Sequence, residues 1–216
     1  MLRADLHIHT EYSFDTSMSL DSIISRCLKL GINCVAIADH GTIAGAVKMK
    51  EIAPFAVIVA EEILTPIGEI MGMFLTEEVP NGLTPEETIA RIKAQEGLVC
   101  LPHPFDRFRG IGQRYKGIES VISEIDIIEV LNSRVVLNRY NRKAEFFAQK
   151  HGLLRSAGSD AHTLHEIGHA YVEMPEFDGR EEFGAALAQG SVFGRRSCPL
   201  VHFASVWSRL RKLLRG

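Results

Sequence analysis

Apolar and polar positions along this chain alternate between two rhythms. Short stretches of strand length recur at Leu2–Ile8, Cys34–Ala38, Phe55–Val59, Leu98–Leu101, Ile125–Leu131 and Leu153–Ala157. Between them, apolar residues return every three or four positions, the spacing of a helix with one buried face. Leu20, Ile23, Ile24, Cys27, Leu28 and Leu30 follow Ser19 as N-cap and end at Gly31. Residues 43–52 read as a helix ended by Pro54. Thr84-Pro85-Glu86-Glu87 opens another as a capping box with proline at the first helical position, and it runs to about Gln95. Residues 137–150 and 180–189 are also helical by this criterion. Ile70–Leu75, Tyr171–Met174 and Val192-Phe193 read as additional short strands, and the basic, glycine-containing residues 105–117 as a loop.

Buried strands alternating with helices make βαβ units and a parallel sheet. No fixed-period repeat or low-complexity linker interrupts them. About seven units in roughly 200 residues fit a single α/β domain shaped as a small barrel better than an open sheet. Residues 1–200 form it, and residues 201–216 form a C-terminal amphipathic basic helix, part of the same domain or an interface. In that tail Phe203, Val206, Trp207, Leu210, Leu213 and Leu214 repeat at helical spacing, with Arg209, Arg211, Lys212 and Arg215 between them. The pattern suits packing on the barrel or on a second subunit, which would make a homo-oligomer. The alternative is a membrane-surface helix.

Composition narrows the class. The 216 residues are 46% hydrophobic and 24% charged, with net charge −3, as in ordinary soluble proteins. The slightly acidic balance predicts no stable nucleic-acid complex. No apolar run approaches the roughly 18 residues of a membrane span, and no secretory signal is legible. Cys27, Cys34, Cys100 and Cys198 form no C-x-x-C pair and read as free thiols, which suits a cytoplasmic location.

Candidate chemistry lies at the strand ends. His7 and His9 are two apart in a strand, so their imidazoles share a face. Further strands end at His40, Glu62, His103, and Asp160 with His162. Functional groups in parallel α/β folds gather at the carboxyl ends of strands, and these residue types together make a nitrogen- and oxygen-lined metal site.

His7-x-His9, Asp39-His40, His103-Pro104 and Ser159-Asp160-x-His162 together resemble, in order and spacing, the four motifs of the PHP superfamily, named for its polymerase and histidinol-phosphatase members. The resemblance spans about residues 3–175, and Glu166 and Gly168 after the fourth motif add to it. It implies a distorted (β/α)7 barrel that uses two or three divalent ions (Zn, Mn or Fe) to hydrolyse phosphate esters. Carried over, it implies that His7, His9, Glu62 and Asp160 hold one ion. Glu62 bridges to a second that also takes His103, and Asp15, His40 and His162 hold a third. Ala60-Glu61-Glu62 offers Glu61 as a competitor for the bridging role. Where many members carry another histidine, this chain has Gly68–Met73, and Met71 is a poor ligand for a hard cation. The second site would then take water or another oxygen donor, or stay empty.

The expected activity is hydrolysis of a small phosphorylated metabolite or nucleotide by a metal-bound water held by Glu62 and Asp160. Arg107, Arg134 and Asn132 are the candidate substrate-binding residues, with Arg109 and Arg114 in the same loop as Arg107. Asp39 is expected to orient a ligand histidine or to cap a helix. The alternatives are an exonuclease or ribonuclease acting on nucleic-acid ends, and a non-catalytic metal-binding PHP module.

Overall fold

The computed structural model describes residues 1–111 and 121–213; Arg114, Leu214 and Arg215 lie outside them. The chain runs β1 (Leu2–Ile8), α1 (Leu20–Leu30), β2 (Cys34–His40), α2 (Ala44–Ile52), β3 (Ala56–Thr65), β4 (Gly68–Met73) and α3 (Pro85–Ala94). Then come β5 (Leu98–Leu101), β6 (Ile127–Asn132), α4 (Asn138–His151), β7 (Leu154–Gly158), β8 (Ala170–Met174), α5 (Gly179–Ala188), β9 (Ser191–Gly194) and α6 (Val201–Leu213). The stop and start signals act as read. Ser19 accepts a hydrogen bond from the Ser22 amide, and Gly31 closes α1 in the left-handed region at φ 69°. Thr84 and Glu87 form the reciprocal capping box of α3.

One sheet holds the molecule together, in the order β7-β6-β5-β4-β3-β2-β1-β8-β9. β1–β2, β2–β3, β5–β6 and β6–β7 are parallel. The parallel run is broken by β4, which is antiparallel to both β3 and β5, and β8 and β9 pair antiparallel beside β1. The β3–β4 hairpin extends β3 past Glu62 to Thr65, beyond the expected end, because its return strand supplies partners for the extra backbone groups.

The sheet curls until β7 meets β1. The Asp5 carboxylate accepts from the Ser159 amide at 2.8 Å and the Gly168 amide at 2.9 Å. The His9 amide donates to the Ala161 carbonyl at 3.1 Å. The result is a nearly closed barrel. Alternation along each strand sorts the core into two layers. Cys34, Ala36, Ala38 and Ala60 face the interior with Met71 and Met73, while Val35, Ile37 and Val59 meet Ile23, Cys27 and Met49 of the covering helices. Both strand faces are buried, so the strands read as continuous apolar runs.

α6 turns its apolar stripe away from the barrel. Val201, Ser205, Ser208 and Lys212 are half-buried, while Phe203, Val206, Trp207 and Leu210 are exposed. The apolar stripe, expected to pack on the barrel or on a second subunit or to lie on a membrane surface, faces away from the barrel, and Ser205 and Lys212 make polar contacts with the barrel rim. Cys27, Cys34, Cys100 and Cys198 are free thiols. Among the described residues no helix is long and apolar enough to cross a membrane.

Candidate metal centre

β1 delivers His7 and His9 to the carboxyl end of the barrel. The His7 Nδ1 lies 3.1 Å from Glu129 Oε1. A carboxylate only accepts, so Nδ1 carries a proton and Nε2 is the ring nitrogen left to face a cation. Room for this ring comes from Gly158 on β7, where a Cβ would stand 2.3 Å from the His7 Cβ. His7 Nε2 lies 3.1 Å from His9 Nε2 and 3.3 Å from Glu62 Oε2. His9 Nε2 is 3.4 Å from both Glu62 Oε2 and Asp160 Oδ1. Ligands held about 2.1 Å from one tetrahedral ion lie roughly 3.4 Å from each other, and these separations match.

The cluster continues on both sides. Glu62 Oε1 is 2.9 Å from His103 Nε2, and Glu69 Oε2 is 3.4 Å from the same nitrogen. Asp15 Oδ2 is 2.9 Å from His162 Nε2 and 3.4 Å from His40 Nε2. His162 Nδ1 faces the Asp160 carbonyl at 2.9 Å, so it must be the donor there. Its Nε2 lone pair then confronts a carboxylate oxygen, an acceptor facing an acceptor, which a bound cation would reconcile. Asp160 Oδ1 and Glu69 Oε2 are buried with no hydrogen-bond partner among the described residues. The donor set, the spacing and these unmatched oxygens fit divalent cations. His103 and Asp160 sit at φ 28° and 53°, left-handed conformations that concentrate at functional sites.

Electrostatics couples these groups. Burial opposes a charge on His9, but Asp160 and Glu62 outweigh it and raise its pKa to about 9. Burial likewise opposes ionisation of Asp160, and Arg109 and His7 hold it well below the usual carboxylate range. Glu62 is depressed by His7 and His40 against the same burial penalty. Burial, then the neighbouring His9 and Arg134, push His162 down to about 3. Burial and the charge of Glu62 raise Glu69.

The sequence model of the PHP domain matches residues 5–101, and that of the PHP-associated region matches residues 138–192. An uncharacterized protein of Methanocaldococcus jannaschii is 39% identical over 146 residues, 61% of this chain and 82% of that one. This chain belongs to the PHP family. Among solved structures, the barrel is similar to a two-domain protein from Bacteroides vulgatus containing a predicted PHP-like metal-dependent phosphoesterase. The TM-score is 0.72 at 15% identity, over 90% of this chain and 65% of that one. It is also similar to Endonuclease Q in complex with a 27-mer duplex carrying an abasic lesion, with TM-score 0.66 at 17% identity, over 86% of this chain and 56% of that one. This chain thus spans about two thirds or less of these two structures, and at such identities the likeness is one of fold.

The PHP centre gathers all eight residues expected as ligands: His7, His9, Asp15, His40, Glu62, His103, Asp160 and His162. Glu62 points into it. Glu61, its neighbour, points away and accepts from the Val79 amide at 2.8 Å. Met71 lies deeper in the barrel, opposite Glu62 in the hairpin register. Two residues earlier on the same strand face, Glu69 reaches the rim and joins His40 and Glu62 as a group able to hold a metal. Glu69 stood within the stretch flagged for a missing histidine, and its charge was the available signal. Asp39 does not cap α2, and among the described residues no histidine hydrogen-bonds to it. It accepts from the Thr10 amide and hydroxyl at 2.5 and 2.6 Å, while Ile43 is the N-cap.

The expected substrate residues are sorted by reach. Arg107 is exposed and lies over the Phe108 ring. Arg109 enters instead, its Nη1 2.6 Å from Asp160 Oδ2. Asn132 is buried and donates to Glu129 and Asp160 at 2.9 and 3.2 Å, a bracing position. Glu129 also accepts from the His103 amide at 2.7 Å, so one carboxylate positions His7, His103 and Asn132. It was missed because a lone charge in an apolar strand gives no local sign of its partners. Above the centre opens a cavity of about 250 Å³ lined by Phe14, Asp15, His40, Glu69, Arg109, Arg134, His162, Ser205 and Val206.

Proposed function

We propose that this protein is a metal-dependent phosphoesterase hydrolysing a small phosphorylated metabolite or nucleotide. The observation that supports this most is the convergence of eight histidine and acidic side chains, with Glu69 as a ninth, beneath a cavity walled by two guanidinium groups. His7, His9, Glu62 and Asp160 would hold one ion, Glu62, His103 and Glu69 a second, and Asp15, His40 and His162 a third. Zn, Mn or Fe held there would supply hydroxide at neutral pH and would offset charge on phosphate oxygens. The chain itself contributes recognition and positioning. Arg109 and Arg134 on the cavity wall suit phosphate oxygens through charge-assisted, bidentate contacts. Glu129 and Asn132 hold His7, His103 and Asp160 in place, so their geometry is set before substrate arrives. The size of the cavity favours a compact substrate over a polymer.

The test is a hydrolysis screen of phosphomonoesters, cyclic phosphodiesters, nucleotides and short oligonucleotides after loading with Zn, Mn or Fe, with metal analysis alongside. His9→Ala and Asp160→Ala should abolish turnover while retaining the fold. Preferential cleavage of oligonucleotide ends would move the assignment to the nuclease reading. Metal retention without any hydrolysis would favour the non-catalytic module, and absence of bound metal after loading would overturn the proposal.

A further inference from the structure

The C-terminal helix carries its amphipathic pattern inverted. Val201, Ser205, Ser208 and Lys212 recur at steps of three and four and form the half-buried side. Ser205 accepts from Arg134 Nη2 at 2.8 Å, and Lys212 donates to the carbonyls of Glu11 and Ser13. On the opposite side Phe203, Val206, Trp207 and Leu210 are 71%, 58%, 63% and 49% exposed. A surface helix ordinarily turns its apolar stripe inward. Here the polar side is anchored at the rim of the cavity and the apolar side is left to water.

We propose that α6 docks on an anionic lipid bilayer, with Phe203, Val206, Trp207 and Leu210 entering the headgroup boundary. Charge selects this occupant. After Glu182 the chain has six Lys/Arg and no Asp or Glu, whereas residues 1–182 have eighteen Lys/Arg against twenty-seven Asp/Glu. An anionic surface therefore attracts this end and repels the remainder, which fixes orientation as well as contact. A second copy fits less well. A two-fold contact sets a patch against itself, so it would bring two such basic segments together. The four exposed apolar side chains of this 13-residue helix offer about 500 Å² at most, against the roughly 800 Å² per partner of a stable interface. Because Ser205 and Val206 also line the cavity, docking would set its mouth at the bilayer surface. This inference is independent of what the centre hydrolyses.

Trp207 is the only tryptophan, so the full-length protein reports on its own contact. Its emission should shift to the blue with vesicles of mixed phosphatidylcholine and phosphatidylglycerol, the protein should sediment with them, and added salt should weaken both effects. Phe203→Ser and Leu210→Ser alter exposed positions. Each should reduce vesicle affinity, and together they should reduce it by more than about tenfold, with unchanged circular dichroism and melting. Absence of binding to the mixed vesicles would overturn the proposal, as would equal binding to pure phosphatidylcholine. So would a blue shift without vesicles that grows with protein concentration together with a doubling of mass, which would assign the stripe to a second copy.

Discussion

Replacing Glu69 with glutamine separates its ligand role from a merely structural one. The substitution keeps the side-chain shape and removes the charge 3.4 Å from His103 Nε2. Without metal, burial and Glu62 raise the Glu69 pKa. Its ionised form therefore costs the folded protein stability once pH exceeds the unfolded value, and the metal-free variant should be at least as stable as the parent at neutral pH. With metal the sign reverses. Residues that merely orient ligands contribute 10- to 100-fold in metal affinity, so a direct ligand should contribute about 100-fold or more, roughly 2.7 kcal/mol. At saturating metal that difference appears as lost stabilisation. For a chain of this length it should reduce the metal-induced rise in Tm by about 5–10 °C. Equilibrium dialysis with elemental analysis should find about one ion fewer per chain, and calorimetry with and without chelator should show the smaller rise. Glu61→Gln, at the neighbouring carboxylate that faces away, should leave metal content unchanged and stability within about 1 kcal/mol. Wild-type metal content and an undiminished rise in the Glu69 variant would refute the assignment.

Three further outcomes are expected. Protonated His9, with its pKa raised from 6.5 to about 9, stabilises the metal-free fold fully below pH 6.5 and loses that contribution as pH rises through 9. Melting of chelator-treated protein should therefore fall between pH 7 and 9, while the metal-loaded protein stays nearly level; a level curve for the stripped protein would contradict the coupling. Gly158→Ala would set a Cβ 2.3 Å from the His7 Cβ and 2.9 Å from Glu129 Oε1. It should destabilise by about 1–3 kcal/mol and weaken metal retention, whereas unchanged metal content would show that His7 tolerates displacement. Arg109→Ala should lower kcat/KM for a phosphate ester about 10- to 100-fold, as expected for a lost charge-assisted bond, while Arg107→Ala should change it less than about twofold. The reverse order would restore the sequence-based choice of Arg107.

The contrast between Arg107 and Arg109 illustrates how far the sequence could be read. Both lie in one basic loop, and nothing local distinguishes the side chain that turns inward. Glu69 escaped notice for a different reason. Its hairpin interrupts the parallel alternation, and a ligand on an antiparallel return strand does not fall at a strand end counted in βαβ order. Glu129 looked like an isolated charge because its three partners come from β1, the turn after β5, and the end of its own strand.

Sequence alone determined what depends on short-range geometry. The capping box of α3, the glycine stop of α1, the shared face of His7 and His9, and the recurrence of ligand-type residues at strand ends all follow from fixed helical and strand periods. The tertiary structure decided what depends on closure of the sheet. Curling β7 onto β1 brings Asp160 to His9 across 151 residues of chain, and the β3–β4 register sets Met71 opposite Glu62 while Glu69 reaches the rim. The same applies to α6, where helical spacing defined an apolar stripe and a polar one. Which of them faced water was set by polar anchors on the rim, and these exist only once the barrel has formed. Local periodicity specifies the face of an element; the neighbour that meets that face is specified only by the fold.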